Sequence, residues 1–160
     1  MVTHGQVHGE IRRWCHDRGI KLDYVEWLEE EYGPWEGEQT IDGGYESPYR
    51  GEPPTIELMF LPSAAPLAVW WTFLHELGHW EQDRESPSFN RTYDSSWKAM
   101  YHYEQDAWSR AIYHAMYSRW RPDDSFHALV EESLAIKRRL PGGPASTEIW
   151  EPAREFLDEG

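Results

Sequence analysis

The chain has 160 residues, a formal net charge of −14, 15% aromatic side chains and one cysteine. That length suits a single domain with a real core, and the acidic balance argues against a nucleic-acid surface, which needs clustered Lys and Arg. One cysteine excludes an internal disulfide and a cysteine-based zinc site.

Along the chain, Val7 to Arg18 fits a short helix closed by Gly19, with Cys15 as a buried small residue. The N-terminal stretch shows no apolar core of a secretory signal, and the longest apolar run, "LAVWWTFL", is too short to span a bilayer. A soluble, reducing, cytoplasmic setting is therefore expected. "IKLDYVEWL" reads as a strand with a bulge or as a helix running into "EEEYG", the strand being favoured. Glu29, Glu30 and Glu31 are expected on a solvated face. Residues 33–54 are rich in Gly and Pro and predict turns, with one short strand around Thr40 and Ile41. "TIELMFLP" is β-branched and apolar between two prolines and predicts a strand.

"SAAPLAVWWTFLHELGHWEQDRE" predicts a helix over residues 63–85, with Ser63 as N-cap and Pro66 in the first turn. "SPSFNRTYDSS" reads as a loop. A long helix follows over residues 96–119, stopped before Pro122. Another is expected from Ser125 to Leu140, ended by "PGG", and the tail has room for one short helix. The ten Trp residues are better explained as core filling than as carbohydrate stacking, because several fall at helical spacing beside aliphatics.

The chemistry concentrates in His75-Glu76-Leu77-Gly78-His79, an HExxH pattern. On a helix His75 and His79 stand one turn apart on one face, within reach of one small cation. Glu76 is offset by about 100°, beside a metal rather than on it, where a carboxylate can take a proton from water. Leu67, Trp70, Leu74 and Leu77 form an apolar stripe next to that face. Gly78 costs about 1 kcal/mol relative to Ala in a helix interior, so another element is expected to approach closely there.

An open tetrahedral zinc site needs three protein ligands, and the long helix offers Glu104, Asp106, His102 and His114. At about 100° per residue, Trp97, Met100, Trp108, Ala111 and Ala115 lie within about 40° of Glu104, and Ala107 within about 60°. Asp106 and His102 point about 160° away, and His114 sits at the margin. Glu104 is therefore the expected third ligand. A carboxylate in that stripe without a partner would be costly.

These residues resemble the zincin metallopeptidases with a glutamate third ligand, and more narrowly the ImmA/IrrE family. The likeness covers roughly residues 50–140: the strand before the HELGH helix, Glu104-Gln105-Asp106-Ala107 with Ala111, and "ESLAIKRRL". Trp108 stands where that family commonly has Asp or Asn, and Arg110 where it commonly has Phe. The resemblance implies an α+β, zincin-like minimal metallopeptidase domain, with a small, mainly antiparallel sheet packed on the HExxH helix and further helices. One domain, 1–160, would divide into an N-terminal helix and sheet (1–62), the HExxH helix (63–85), the Glu-ligand helix (96–119) and C-terminal helices (125–160).

His75, His79 and Glu104 would bind Zn2+ and Glu76 would activate water. The implied activity is a zinc endopeptidase, often encoded on phages or mobile elements, that cleaves a cognate transcriptional repressor. The acidic surface fits a basic protein substrate, with no direct nucleic-acid or membrane partner. The strand Thr55–Leu61 is a candidate to receive substrate as an added strand, and Tyr101, Tyr103 or His114 to assist the developing oxyanion. The alternative is a catalytically silent module of the same fold with a structural metal, motivated by Trp108 and Arg110.

Overall fold

The computed structural model describes residues 1–138. The expected end of the last helix at Leu140, the "PGG" stop and the tail helix lie outside the described residues. Among those residues the fold is α+β, with six helices and a three-stranded sheet. Helix α1 (His4–Arg18) begins three residues before its apolar pattern because a capping box sets its start. Thr3 Oγ1 accepts from the Gln6 amide, and Gln6 Oε1 accepts from the Thr3 amide. The helix closes at Gly19, whose left-handed φ of 68° suits a residue without Cβ. Val7, Ile11 and Cys15 are its buried face.

Strand β1 (Lys21–Glu26) follows, then the short helix α2 (Glu29–Tyr32), whose three glutamates are exposed as expected. Strands β2 (Ile41–Glu46) and β3 (Thr55–Phe60) complete a sheet of order β1-β3-β2. β2 pairs antiparallel to β3, with Gly43 opposite Leu58, while β1 pairs parallel to it, with Asp23 opposite Glu57. The sheet is thus mixed rather than mainly antiparallel. The segment between β1 and β3 is long enough to carry the chain back to the starting end, which a parallel pair requires. In β3, Ile56, Leu58 and Phe60 are buried while Glu57 and Met59 face outward.

Helix α3 (Pro66–Glu85) starts at Pro66, not at Ser63. A residue before proline disfavours the α region, so the first helical hydrogen bonds run to the Ala65 carbonyl and Pro66 takes the first helical position. Helix α4 (Phe89–Tyr93) occupies the stretch expected to be a loop. Helix α5 (Trp97–Met116) is capped by Ser96, and α6 (Asp124–Arg138) by Asp123, which accepts from the Ser125 and Phe126 amides. α5 stops short of Arg119: the Ser118 hydroxyl donates to the carbonyls of Ala115 and Trp120, turning the chain before Pro122.

Two compact units are distinguished, Met1–Glu76 and one beginning at Leu77, with the division inside α3. In the first, Trp14 meets Trp70 edge-on at 5.3 Å, and Trp70, Trp71 and Phe73 are fully buried with Ile56 and Leu58. In the second, the core is Leu77, Ala107, Trp108, Ala111, Ile112 and Ala115 with Phe126, Val130 and Leu134 of α6. Trp108 packs edge-on against Phe126 at 5.8 Å. Trp70, Trp71, Trp80 and Trp108 are thus core residues, as the helical spacing indicated. No helix of the described residues is long and apolar enough to cross a membrane.

Candidate metal centre

α3 presents His75 and His79 one turn apart, and α5 presents Glu104. All three are buried, at 7%, 6% and 5% exposure. Each brings one potential ligand atom within 4.8 Å of the others, close enough to hold one metal ion. Of these, His79 Nε2 and Glu104 Oε1 are 3.5 Å apart. Two ligands about 2.0–2.2 Å from one tetrahedral metal stand about 3.3–3.5 Å apart, so this spacing suits a shared ion.

Gly78 explains how α3 and α5 come so near. A Cβ at position 78 would lie 2.7 Å from the Ala107 carbonyl oxygen and 3.0 Å from its Cα, both backbone atoms. Glycine on one helix and alanine on the other remove the bulk that would separate them. The close approach expected from the cost of a mid-helix glycine is therefore present, and it sets Glu104, three residues before Ala107, at the height of His79.

Each of these two candidate ligands has a holder. His79 Nδ1 is 2.8 Å from Gln82 Oε1, and Gln82 Nε2 donates to the Tyr103 carbonyl at 2.9 Å and to Asp106 Oδ2 at 2.8 Å. Glu104 Oε1 accepts from the Tyr93 hydroxyl at 2.6 Å. The Tyr93 ring also meets the His79 ring edge-on at 5.7 Å. Lys137 Nζ stands 3.9 Å from the same Glu104 oxygen. Its place is set by Trp97, whose indole N–H donates to the Lys137 carbonyl, and by Arg138, which donates to the Tyr101 hydroxyl.

Glu76 is buried on α3 at 6% exposure. A Cβ at Gly43 would stand 2.7 Å from Thr72 Cγ2 and 3.0 Å from Glu76 Oε1, so β2 passes close to this carboxylate and a side chain at 43 would have to displace Thr72 or Glu76. The two neighbouring outliers of the motif have ordinary roles. Trp108 is core, and Arg110 binds Glu85 through two nitrogens at 2.9 and 2.7 Å and Asp106 at 2.8 Å. Burial raises the Asp106 carboxyl, but hydrogen bonds from Gln82 and Arg110 and the guanidinium charge outweigh it and hold the group below its usual range. The hydrogen bond to Glu85, followed by that to Asp106, raises the Arg110 guanidinium against the opposing effect of burial.

The remaining candidates are placed elsewhere. Asp106 and His102 are not in the ligand group, as their helical angles indicated; His102 is exposed. His114 pairs with Glu81 at 2.6 Å. Tyr101 accepts from Arg138, and Tyr103 contributes its carbonyl to Gln82. The expected acceptor strand is corrected: β3 lies between β1 and β2 with both edges already paired, so it has no edge to offer an added strand. Tyr93 was missed because "SPSFNRTYDSS" has no apolar periodicity to mark a helix. Cys15 is buried, and burial pushes its thiol up to about 12, only partly opposed by Arg18, which makes it an inert core group. Comparison of the chain with protein-family models, with curated proteins and with solved structures finds no match in any of the three.

Proposed function

We propose that the chain is a zincin-like zinc endopeptidase, similar to the ImmA/IrrE peptidases, acting on a protein partner in a cytoplasmic setting. The observation that carries the reading is one buried group of two imidazoles and a carboxylate with a second carboxylate, Glu76, adjacent on the same helix. Two nitrogens and one oxygen are a donor set that suits zinc with an open fourth position. The chemistry a zinc ion supplies when bound there is Lewis acidity, which acidifies water and polarises a carbonyl.

The chain's own residues supply the rest. Glu76 accepts a proton from the attacking water and passes it to the leaving amine, so the peptide C–N bond breaks as a C–O bond forms. β2 is an edge strand that runs over Glu76 at Gly43, and its outer edge is suited to pair with an extended segment of substrate. Asp42 and Glu46 flank that edge and favour a basic segment, in keeping with a DNA-binding repressor as substrate. The alternative of a silent module with a structural metal was motivated by Trp108 and Arg110, and both are accounted for by packing and ion pairing.

The test combines metal analysis with cleavage of Lys- and Arg-rich reporter peptides. Wild type is expected to hold one zinc per chain, and His75→Ala, His79→Ala and Glu104→Ala to lose it. Glu76→Gln should keep its zinc and cleave about 10²–10⁴-fold more slowly. Cleavage by Glu76→Gln at the wild-type rate would sink the mechanism. Full zinc with no cleavage would favour the structural-metal module, and no stoichiometric zinc would remove the ligand assignment.

A further inference from the structure

Gln82 is almost fully buried and lies three residues after His79 on α3. Its amide faces three partners, and only one orientation serves them all. With Nε2 toward the Tyr103 carbonyl and Asp106 Oδ2, both amide protons meet acceptors. Turned over, the amide oxygen would face a carbonyl oxygen and a carboxylate in a buried setting, two repulsive contacts. Gln82 Oε1 therefore faces His79 Nδ1, and Nδ1 must carry the proton. Neutral imidazole has one proton to place, so Nε2 presents its lone pair, and Nε2 is the atom 3.5 Å from Glu104 Oε1.

The outer end of the chain is equally determined. Asp106 accepts from Arg110 Nε through the same oxygen that binds Gln82, and Arg110 is held by a two-point contact with Glu85. From the surface inward the order is Glu85, Arg110, Asp106, Gln82, His79.

We propose that Gln82 is a positioning residue that fixes His79 as the Nδ1–H tautomer so that Nε2 serves as the ligand atom, with Asp106 and Arg110 fixing the amide in turn. The inference rests on the metal-site reading for its consequence, but the tautomer can be observed without any metal. The bland account is that Gln82 merely ties α3 to α5, and the two accounts diverge on Gln82→Glu against Gln82→Met. A carboxylate at 82 still accepts from His79 Nδ1, yet it loses both donations and faces Asp106 with like charge. Met removes every hydrogen bond at similar volume.

The experiment reads imidazole nitrogen shifts by NMR in metal-free protein, zinc affinity by competition with a chromogenic chelator, and thermal midpoints. Wild type is expected to show His79 as Nδ1–H. Gln82→Met should lose that preference and bind zinc about 10–100-fold more weakly, with the His75 tautomer unchanged. Gln82→Glu should melt lowest of the three yet keep the Nδ1–H tautomer and bind zinc more tightly than Gln82→Met. A wild-type His79 in the Nε2–H form, or zinc affinity that simply follows the melting order, would overturn the proposal. A wild type with the Nδ1–H tautomer but no zinc binding would overturn the metal reading and leave the Gln82 assignment standing.

Discussion

Tyr93 donates its hydroxyl to Glu104 while its ring lies edge-on to His79, so one side chain touches two of the three proposed ligands. Tyr93→Phe keeps the ring contact and deletes only the hydroxyl, leaving Glu104 Oε1 without that donor. Zinc affinity measured by chelator competition should fall about tenfold, and the fold should lose about 1.5–3 kcal/mol, as for a hydrogen bond to a charged group. An unchanged affinity would mean that Tyr93 does not orient the carboxylate. Glu104 and Tyr93 also show what a sequence can and cannot disclose at this scale. Glu104 was legible because a carboxylate centred in a stripe of Trp and Ala violates the polar pattern of a helix. Tyr93 carried no such signal: it sits on a five-residue helix whose Ser88 makes no side-chain cap bond, and its partner is eleven residues away in sequence. Gln82 was in plain view beside HELGH, but its importance depends on Tyr103 and Asp106 arriving from another helix.

Among the elements, the contact of α3 with α5 at Gly78 is the most exacting. Gly78→Ala gains about 1 kcal/mol of helix propensity but must displace the Ala107 backbone, at a cost of about 1–3 kcal/mol for overpacking. The variant is expected to melt below wild type and to bind zinc more weakly, because moving α5 carries Glu104 away from His79. A variant that melts higher with unchanged affinity would show that the helices are not in contact there. The positions of α1, α3, α5 and α6 were largely readable, since each is an apolar stripe with a stop signal, whereas α2 and α4 are too short to carry one. Their starts were less so: α1 and α3 begin where a capping box and a proline dictate, not where periodicity begins. The sheet was readable only as strands. Period-two alternation in "TIELMF" says that one face is buried, but nothing in it says that β1 and β2 flank β3 on both sides, which is what leaves β3 without an edge for a further strand.

Across the whole molecule the net charge of −14 is unevenly felt. Glu57 lies opposite Asp23 on β1 and Gly44 on β2, with Glu46 and Asp42 on the same outward side of the sheet. Burial, then Glu46, Asp23 and Asp42, raise its carboxyl above the ordinary value, with Lys21 opposing. Folding therefore favours the protonated form. The cost of charging Glu57 is absent where the carboxyl is protonated in both states, grows as pH rises through the ordinary carboxylate range, and is complete above the raised folded value. Glu57→Gln should raise the urea midpoint at pH 7, with a gain that shrinks as pH falls towards 4; a gain independent of pH would place its origin elsewhere. The same crowding bears on β2. Among the described residues β2 is an outer strand of the sheet and carries two adjacent glycines, and outer strands are where the strands of separate chains pair in ordered aggregation. With Asp42 and Glu46 on β2, pairing of two copies there would be a meeting of like charges, the kind of charge that guards an outer strand against self-assembly.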